Sequence, residues 1–470
     1  MITVIGLGTE KGDVGARALQ AMKRADKVVL RTGRLPSAQS VSEAGIAFET
    51  LDPLYEKCRS YDTFTDAAVR EIRRTAKGVN LCYCVDGGVT EDRIAGILLS
   101  GPDAEAIEGA PKSAQAAVRA GLSLCYQAVS AYELSRGKLA LPLVVYDLSD
   151  RELAGDVKLA LAEKFGDEAP ACFVSEKGAK KIPLYEADRQ DTYGERTALV
   201  LYEQPLLTRK RFDLDDLMEI LRRLRAPDGC PWDRAQSHGS IRINAIEEAY
   251  ELVDAIDCGD PDKMREESGD VIMQAAFHTL LEEERANFTM TDVLTEVCEK
   301  LITRHTHVFG QDRASDDKSA LTVWEKNKMT EKGQKTFSDA VNDVPQCFPA
   351  LLRAQKICKR MGKGGWNFNR FEAHEKKLGE ELAELRAAYE AGDRAGIAEE
   401  LGDVLMVAAH IGRFVGADCE QALLDAVKKN VARYNAWEKL VLADGKDVNA
   451  LTEDEWSDYY RRAKENVRAD

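Results

Sequence analysis

Short runs rich in β-branched and aromatic residues alternate with helical stretches over the first 207 residues of the chain. The runs occupy residues 2–7, 27–30, 79–85, 141–148, 171–174 and 197–202. Strands that alternate with helices along a sequence are typical of an α/β domain. We therefore expect the N-terminal part of the chain to be an α/β domain.

The hydrophobic pattern changes after this region. From Phe212 onward the β-branched runs disappear, and apolar residues recur with helical spacing. A basic run at residues 209–211 precedes the change, and Asp213 stands where it can cap the first helix. The helical region divides between Ser338 and Pro345. The pattern predicts a multidomain protein, with an α/β domain over residues 1–207 and all-α helical-bundle domains over residues 208–340 and 341–470.

A set of carboxylates occurs twice in the helical region, with a constant displacement of 133 residues. The first set is Glu247, Glu248, Glu251, Glu267 and Asp270, and the second set is Glu380, Glu381, Glu384, Glu400 and Asp403. The match continues after the last acid, where Asp-Val-Ile-Met-Gln-Ala-Ala corresponds to Asp-Val-Leu-Met-Val-Ala-Ala. The repeat indicates a duplicated unit.

Residues three apart share one face of a helix, so each set forms two pairs of carboxylates on consecutive helices. Gly259, Pro261 and Gly392 predict the turns that fold these helices into hairpins. Four carboxylates then converge, and they need a cation or protons to neutralise them. A solvated acidic face is the alternative. Apolar neighbours such as Leu252 and Leu401 favour the converging arrangement.

The ligand types limit the choice of metal. Both sets offer only carboxylate oxygens, without the histidine that follows a glutamate by three residues in di-iron bundles. Oxygen ligands favour a hard cation. We therefore expect Mg²⁺, with Mn²⁺ as the alternative.

Cations and tryptophans recur in the same two copies. The cation pairs are Lys300 with Arg304 and Lys429 with Arg433, and Trp324 and Trp456 follow them, while Trp232 and Trp366 precede the acidic helices. Each cation pair spans one helical turn, and it either contacts phosphate or lies on a solvated face. We expect Trp232 and Trp366 to anchor a core or a hairpin.

Net charge, cysteine content and the length of apolar runs limit the partners and the cellular location that we expect for the protein. A net charge of -16 argues against a surface that coats nucleic acid, although it is compatible with a nucleotide bound through a metal. The eleven cysteines include no CxxC pair, which favours a reducing compartment. The N-terminus does not resemble a signal peptide, and no apolar run approaches the roughly twenty residues that span a bilayer. We expect a cytoplasmic protein without nucleic-acid or membrane partners.

The motifs of the helical region resemble those of the MazG nucleoside triphosphate pyrophosphohydrolases. EExxE followed by ExxD is preceded by Gly-Cys-Pro-Trp-Asp at residues 229–233 and followed by Arg-His-Thr-His-Val-Phe-Gly at residues 304–310. The resemblance covers both all-α domains and implies Mg²⁺-dependent hydrolysis of a nucleoside triphosphate to the monophosphate and pyrophosphate. The implied metal ligands are Glu248, Glu251, Glu267, Asp270, Glu381, Glu384, Glu400 and Asp403.

The resemblance also implies which residues meet the nucleotide. In the second domain the matching positions are Lys377, Lys429, Arg433 and Trp456. In the first domain Asn244 stands at the position of Lys377, and Thr303 and Thr306 interrupt the family's Arg-Arg-His-Pro-His. The second domain is therefore expected to be the better catalyst.

The expected reaction is attack of water on the α-phosphorus, which anionic oxygens shield. The expected catalytic residues are Glu248, Glu381, Lys429 and Arg433. The expected substrate-binding residues are Lys300, Arg304, Trp324, Trp366, Lys377, Lys429, Arg433 and Trp456. The carboxylates accept the proton of the water, the cations stabilise the departing pyrophosphate, and a tryptophan stacks on the base.

The first 207 residues resemble the tetrapyrrole (corrin/porphyrin) methylases, which bind S-adenosylmethionine. The resemblance rests on Ile-Thr-Val-Ile-Gly-Leu-Gly at residues 2–8 and on residues 154–168. Such a domain joined to a MazG pair resembles the YabN-type fusions. The implied cofactor-binding residues are Gly6, Gly8, Asp86 and Gly87. Residues 8–13 and 86–89 depart from the family's Gly-Pro-Gly-Asp and Pro-Gly-Asp-Pro, so S-adenosylmethionine is expected only with the alternative function.

Two alternative functions stay open at this point. One is methyl transfer from S-adenosylmethionine by the N-terminal domain, and the other is a ligand-sensing scaffold whose helices serve oligomerisation. In each case a helical hairpin buries its apolar stripe against another hairpin. We expect either a homodimer or intramolecular pairing of the two all-α domains.

Overall fold

The computed structural model describes residues 1–123, 125–331, 333–334 and 336–469, without the side chains of Arg136, Arg468 and Ala469. The strands of these residues are β1 (Ile2–Gly6), β2 (Lys27–Leu30), β3 (Glu49–Thr50), β4 (Leu81–Val85), β5 (Ala104–Ile107), β6 (Gln127–Ser130), β7 (Leu143–Tyr146), β8 (Pro170–Ser175), β9 (Gly178–Pro183) and β10 (Ala198–Leu201). All ten strands lie in the N-terminal region, as the sequence predicts.

Helices α1 to α7 accompany the strands. They are α1 (Ala16–Arg24), α2 (Pro36–Glu43), α3 (Asp52–Tyr55), α4 (Tyr61–Thr75), α5 (Arg93–Leu99), α6 (Lys112–Ala120) and α7 (Arg151–Phe165). The helical region begins with α8 (Leu214–Arg225), α9 (Pro231–Ala235), α10 (His238–Cys258), α11 (Pro261–Glu283), α12 (Met290–Arg304), α13 (Thr306–Phe309) and α14 (Asp317–Glu331). It continues with α15 (Phe337–Asn342), α16 (Ala350–Lys363), α17 (Phe371–Glu390), α18 (Arg394–Val415), α19 (Cys419–Ala443) and α20 (Glu453–Ala469).

The first sheet is parallel, in the strand order β3-β2-β4-β1-β5. Its central strands are apolar on both faces because helices cover both faces. Tyr83 belongs to the core that includes Phe64 of α4, whereas Cys84 belongs to the core that includes Met22 of α1. The alternation of successive side chains thus divides one strand between two cores.

The second sheet is mixed, in the strand order β6-β7-β10-β8-β9. Strands β6 and β7 are parallel, and the remaining pairs are antiparallel. Leu199 of β10 lies in the core that includes Leu161 of α7, and Val200 lies in the core that includes Ala117 of α6. The N-terminal region is therefore α/β, which confirms the prediction.

The sequence indicated six of the ten strands, and the four others share one property. Strands β3, β5, β6 and β9 form the four edges of the two sheets. An edge strand is less buried than a central strand, so its sequence need not be continuously apolar. The four residues of β5, Ala-Glu-Ala-Ile, illustrate this difference.

The described residues form two compact units, Met1–Thr289 and Met290–Asp470. The first unit contains both sheets and α8 to α11, and the second contains α12 to α20. The domain boundaries near residues 207 and 340 stay predictions. Among the described residues, no helix combines the length and the apolar character that a membrane crossing requires.

Candidate active site

The first acidic hairpin consists of α10 and α11. Gly259 follows α10 with a φ of 65°, a left-handed conformation that a residue without Cβ adopts easily. Asp260 then caps α11, since its carboxylate accepts hydrogen bonds from the backbone N–H groups of Asp262 and Lys263 at 3.0 and 3.2 Å. Two residues separate the helices, so α10 and α11 run back along each other.

The second acidic hairpin consists of α17 and α18 and has the same kind of turn. Gly392 has a φ of 68°. The carboxylate of Asp393 caps α18 by accepting a hydrogen bond from the backbone N–H of Ala395 at 3.1 Å. The glycine and the acidic cap recur in both copies, so the two turns place their helices in similar ways.

The first hairpin brings three carboxylates together. Glu248 of α10 and Glu267 and Asp270 of α11 each offer an oxygen, and these oxygens all lie within 4.8 Å of one another. The three side chains are partly buried. Glu251, one turn further along α10, is exposed and lies outside this group.

The second hairpin also brings three carboxylates together. Glu381 and Glu384 of α17 and Glu400 of α18 offer oxygens within 4.8 Å of one another. Glu381 is only 5% exposed, so this cluster extends into the protein. Asp403 lies outside the group. Each copy therefore gathers three of its four expected ligands, but the outlying acid differs between the copies.

The pKa values of Glu267 and Glu400 are raised above the ordinary 4.5. Desolvation is the largest cause in both cases, and repulsion from neighbouring carboxylates follows, with Glu251 and Glu384 as the strongest contributors. Crowded carboxylates with raised pKa values have too little positive charge around them. A bound cation would remove this deficit, and all the ligand atoms are oxygens that a hard cation prefers.

Lys377 supplies one positive charge to the second cluster. Its Nζ lies 2.6 Å from a Glu381 oxygen and 3.7 Å from a Glu380 oxygen. The hydrogen bond to Glu381 raises the pKa of Lys377. The first copy has the neutral Asn244 at the corresponding position. The two clusters therefore differ by one cation.

The other expected contacts of the second domain lie on α19 and α20. Lys429 is exposed and Arg433 is half-buried, and neither forms an ion pair with the second cluster among the described residues. The Nε of Arg433 is buried and has no hydrogen-bond partner in the described part of the chain. Trp456 stacks on Tyr460 with ring centroids 5.0 Å apart, and it remains 46% exposed.

The expected contacts of the first domain already have protein partners. Lys300 lies 2.6 Å from Glu296. The guanidinium of Arg304 donates two hydrogen bonds to Glu331, at 2.8 and 2.9 Å. It also lies 5.6 Å from the ring centroid of Trp324. A phosphate at this position would have to compete with carboxylates.

Trp232 and Trp366 are exposed, so their expected role as core or hairpin anchors is wrong. The exposed fractions are 66% and 70%. Trp232 lies in the five-residue helix α9, and Trp366 lies in the segment between α16 and α17. An exposed indole ring is available to stack on a planar ligand.

The glycine loops of the N-terminal region bond to each other. The backbone N–H of Gly8 donates to the carbonyl of Gly87, and the N–H of Gly87 donates to the carbonyl of Gly8, both at 3.1 Å. A Cβ on Gly6 would lie 2.5 Å from the nitrogen of Gly109, so only glycine fits there. S-adenosylmethionine binding at these loops stays a prediction.

Asp86 belongs to a buried network of charges beside a cleft of about 390 Å³. The ammonium of Lys112 pairs with Asp86 and Asp147, and the guanidinium of Arg31 lies 3.6 Å from Asp86. Burial alone would raise the pKa of Asp86, but Lys112 and Arg31 lower it to about 2. This carboxylate is therefore neutralised by the chain itself.

The sequence identified only Asp86 among the charged residues of this network. Arg31, Asp86 and Asp147 directly follow strands β2, β4 and β7. A charged residue at the end of a buried strand is a usable signal, because the ends of neighbouring parallel strands such as β2 and β4 meet at one edge of a sheet. Lys112, and Glu195 in the lining of the same cleft, carry no comparable signal in the sequence.

Comparisons with known proteins agree with the motifs. A model of the MazG nucleotide pyrophosphohydrolase domain matches residues 236–309 and 370–437, which contain both acidic clusters. The nucleoside triphosphate pyrophosphohydrolase/pyrophosphatase MazG of Thermotoga maritima is 38% identical over 250 residues, 53% of this chain and 95% of that protein. The YabN protein of Bacillus subtilis is 28% identical over 99% of both chains.

A solved structure of the cobalamin-biosynthesis precorrin-6Y methylase of Archaeoglobus fulgidus aligns with 44% of this chain and 99% of its own. The TM-score is 0.32 and the identity is 15%, which is too low to assign an activity. The MazG relative is much more similar in sequence, and this chain covers almost all of it. The chain belongs to the MazG family of nucleotide pyrophosphohydrolases.

Proposed function

We propose that the protein hydrolyses nucleoside triphosphates to nucleoside monophosphates and pyrophosphate with the aid of Mg²⁺. The observation that carries this proposal is the twofold occurrence of three carboxylates within 4.8 Å on a tight helical hairpin. Three converging acids repel one another unless a cation joins them. Two such arrangements in one chain are difficult to explain as solvated faces.

The proposed metal ligands are the four acids of each copy. Glu248, Glu267 and Asp270 form one set, with Glu251 beside them, and Glu381, Glu384 and Glu400 form the other, with Asp403 beside them. The oxygen-only donor set fits Mg²⁺, and Mn²⁺ shares that preference. When bound, the cation supplies positive charge that lowers the barrier to attack on an anionic phosphorus.

The chain's own residues complete the reaction. A water oxygen bonds to the α-phosphorus while the bond from that phosphorus to the bridging oxygen breaks, and pyrophosphate departs. Glu248 or Glu381 accepts the proton that the water releases. Lys429 and Arg433 stabilise the charge of the departing pyrophosphate. Trp366 or Trp456 stacks on the base, and stacking permits several bases.

The second cluster is the better catalyst in this proposal. Glu381 is buried there, and Lys377 holds it in place at 2.6 Å. A fixed carboxylate and a nearby cation favour ordered binding of a triphosphate. The first cluster keeps its acids but has Asn244 in place of the lysine, and Lys300 and Arg304 are paired with carboxylates.

Replacing one central acid in each cluster tests the proposed function. Glu267→Gln combined with Glu400→Gln removes a charged ligand from both sets while keeping the side-chain shape. We expect pyrophosphate release from a panel of nucleoside triphosphates with Mg²⁺ to fall by at least about 100-fold, because both cation sites are weakened.

The matched control is Glu266→Gln combined with Glu399→Gln. These exposed acids precede the cluster residues directly and differ by the same 133 positions. We expect this variant to hydrolyse nucleotides at nearly the rate of the unmodified chain. If the Glu267→Gln and Glu400→Gln variant kept half of the original activity, the proposed function would be wrong.

The helical region is proposed to pair with a second copy of the chain. Ile243, Ile246, Tyr250 and Val253 follow one another at helical spacing along α10, and each is at least 42% exposed. Continuous apolar stripes of this kind mark an interface. Alternatively, the two all-α domains of one chain pair with each other, and the second domain covers the stripe.

Light scattering tests the pairing. We expect the mass of two chains for the unmodified protein, and the mass of one chain for Ile246→Glu combined with Val253→Glu, because two carboxylates in an apolar interface oppose association. The mass of one chain for the unmodified protein would contradict the homodimer.

All eleven cysteines are free thiols, which supports a cytoplasmic location.

A further inference from the structure

Helices α14, α15 and α16 border a cavity of about 320 Å³ that carries an excess of positive charge. Its cationic lining residues are Lys328, Lys356, Lys359, Arg360 and Lys363. Its acidic lining residues are Glu325 and Asp343, so the lining has three more cations than carboxylates. The whole chain has a net charge of -16, which makes this positive cavity unusual for the protein. The volume suits a small organic ligand.

Four of the five cations lie on one face of α16. Their spacing of i, i+3, i+4 and i+7 places them on adjacent turns, where like charges repel. Two of the four are neutralised by the protein. Arg360 lies 3.5 Å from Asp343, and Lys363 forms an ion pair with Glu325.

The other two cations of α16 have no carboxylate partner among the described residues. Lys356 and Lys359 are exposed, and neither lies within 4.0 Å of an acidic oxygen there. The ammonium of Lys356 lies 5.4 Å from the ring centroid of Phe348. Two unneutralised ammonium groups one turn apart, at the wall of a cavity, attract an anion with more than one negative charge.

Aromatic rings form another part of the cavity wall. Trp324 is half-buried, and Phe337 is 51% exposed. The ammonium of Lys328 lies 4.8 Å from the ring centroid of Trp324, so a cation and a flat apolar surface adjoin. Aromatic rings bind nucleobases by stacking, and cations bind the attached phosphates.

We propose that this cavity binds a nucleoside phosphate as a second nucleotide site, separate in its residues from both acidic clusters. None of its lining residues is a proposed metal ligand or one of the α19 cations. Both lining carboxylates are paired with cations, so binding here does not need a divalent metal. In this proposal Trp324, which the sequence assigns to substrate binding, contacts the nucleotide of the second site.

Calorimetric titration of the full chain in EDTA tests the proposal. The probe is α,β-methylene-ATP, which cannot be cleaved at the α-phosphorus and which the acidic clusters do not hold without a metal. We expect saturable binding to the unmodified chain and binding at least about tenfold weaker for Lys356→Ala combined with Lys359→Ala. Adenosine, which has the base without phosphates, is expected to bind at least about tenfold more weakly than the nucleotide.

The matched control is Lys318→Ala combined with Lys326→Ala. Both lysines are exposed on α14 and neither lines the cavity, so the variant loses the same charge without changing the site. We expect it to bind the probe like the unmodified chain. Absence of binding in EDTA, equal affinity in the α16 variant, or equal affinity for adenosine would each overturn the proposal.

Hydrolysis with Mg²⁺ separates this proposal from the proposed function. The α16 variant is expected to retain basal hydrolysis at low nucleotide concentration, because its acidic clusters are intact. If the α16 variant lost both hydrolysis and probe binding, the second site would be overturned and its lysines would belong to the catalytic site. An unmodified chain that binds the probe in EDTA but hydrolyses no nucleotide would refute the proposed function and leave the second site standing.

Discussion

Asp86 of the N-terminal network and Glu267 and Glu400 of the helical hairpins are crowded carboxylates, but the pKa of Asp86 moves in the opposite direction from the other two. The pKa of Asp86 falls to about 2, whereas the pKa values of Glu267 and Glu400 rise. All three acids lose solvent. The difference lies in their neighbours, because Asp86 faces Lys112 and Arg31 while the hairpin acids face other acids.

This comparison separates two uses of a crowded carboxylate. In the N-terminal network, Asp86 has counterions from the chain itself, Lys112 and Arg31. The hairpin clusters contain too little positive charge and need something from outside the chain. The direction of the pKa shift at these three acids therefore follows the charge of their neighbours, which are cations for Asp86 and carboxylates for Glu267 and Glu400.

The largest expected effect comes from removing the counterion of the N-terminal network. Lys112→Ala leaves Asp86 and Asp147 buried without their ammonium partner, so we expect the free energy of unfolding to fall by about 3–5 kcal/mol. Urea denaturation of the full chain measures the loss. Lys27→Ala is the control, because its 3.8 Å pair with Glu49 is largely exposed and is worth less than about 1 kcal/mol. Equal losses in both variants would contradict the comparison.

The next effect is a gain in stability when Mg²⁺ binds to the hairpin clusters. Mg²⁺ at about 100 times its dissociation constant should stabilise each folded hairpin by about 2.7 kcal/mol, because it binds only when the acids converge. Thermal denaturation with and without Mg²⁺ measures this gain. The Glu267→Gln and Glu400→Gln variant should lose most of it. An unchanged gain in that variant would show that Mg²⁺ acts elsewhere.

The smallest effect concerns Glu195, which lines the N-terminal cleft and forms no ion pair within the described residues. Burial, followed by repulsion from Asp86, raises its pKa from 4.5 to about 7. The folded chain thus keeps a proton that the unfolded chain releases, and stability falls as the pH rises from about 4.5 to about 7.

Glu195→Gln removes this dependence, so we expect it to stabilise the chain by about 1–2 kcal/mol at pH 8 and by almost nothing at pH 4.5. Urea denaturation at the two pH values measures the difference. Equal stabilisation at both would mean that Glu195 carries no charge that burial opposes, and the comparison would then rest on Asp86 alone.

The sequence predicted the central strands and missed the edges. The central strands are covered on both faces, so burial requires a continuous run of apolar residues, and such a run is recognisable in the amino-acid sequence. An edge strand such as β9, with Gly-Ala-Lys-Lys-Ile-Pro, owes its conformation to the neighbour that pairs with it. That pairing depends on residues far away in the chain, and local sequence does not record it.

The same distinction applies to the candidate sites. The acidic sets were recognisable because helix periodicity and a constant displacement are properties of the sequence itself. The partner of Asp86 was not recognisable, since Lys112 reaches it through the fold. Trp366 was expected to anchor a core or a hairpin because large aromatic residues usually do so, but its side chain is 70% exposed.

The short turns after α10 and α17 have a consequence for how the acidic sites arise during folding. Each cluster is contained in a stretch of 23 residues, from Glu248 to Asp270 and from Glu381 to Asp403. Closing so short a loop costs little conformational entropy, and contacts between near neighbours in the chain form quickly. A site formed by such a short segment can assemble before the remainder of its helical bundle. One copy of the segment can also be duplicated or altered without sequence changes in the other copy.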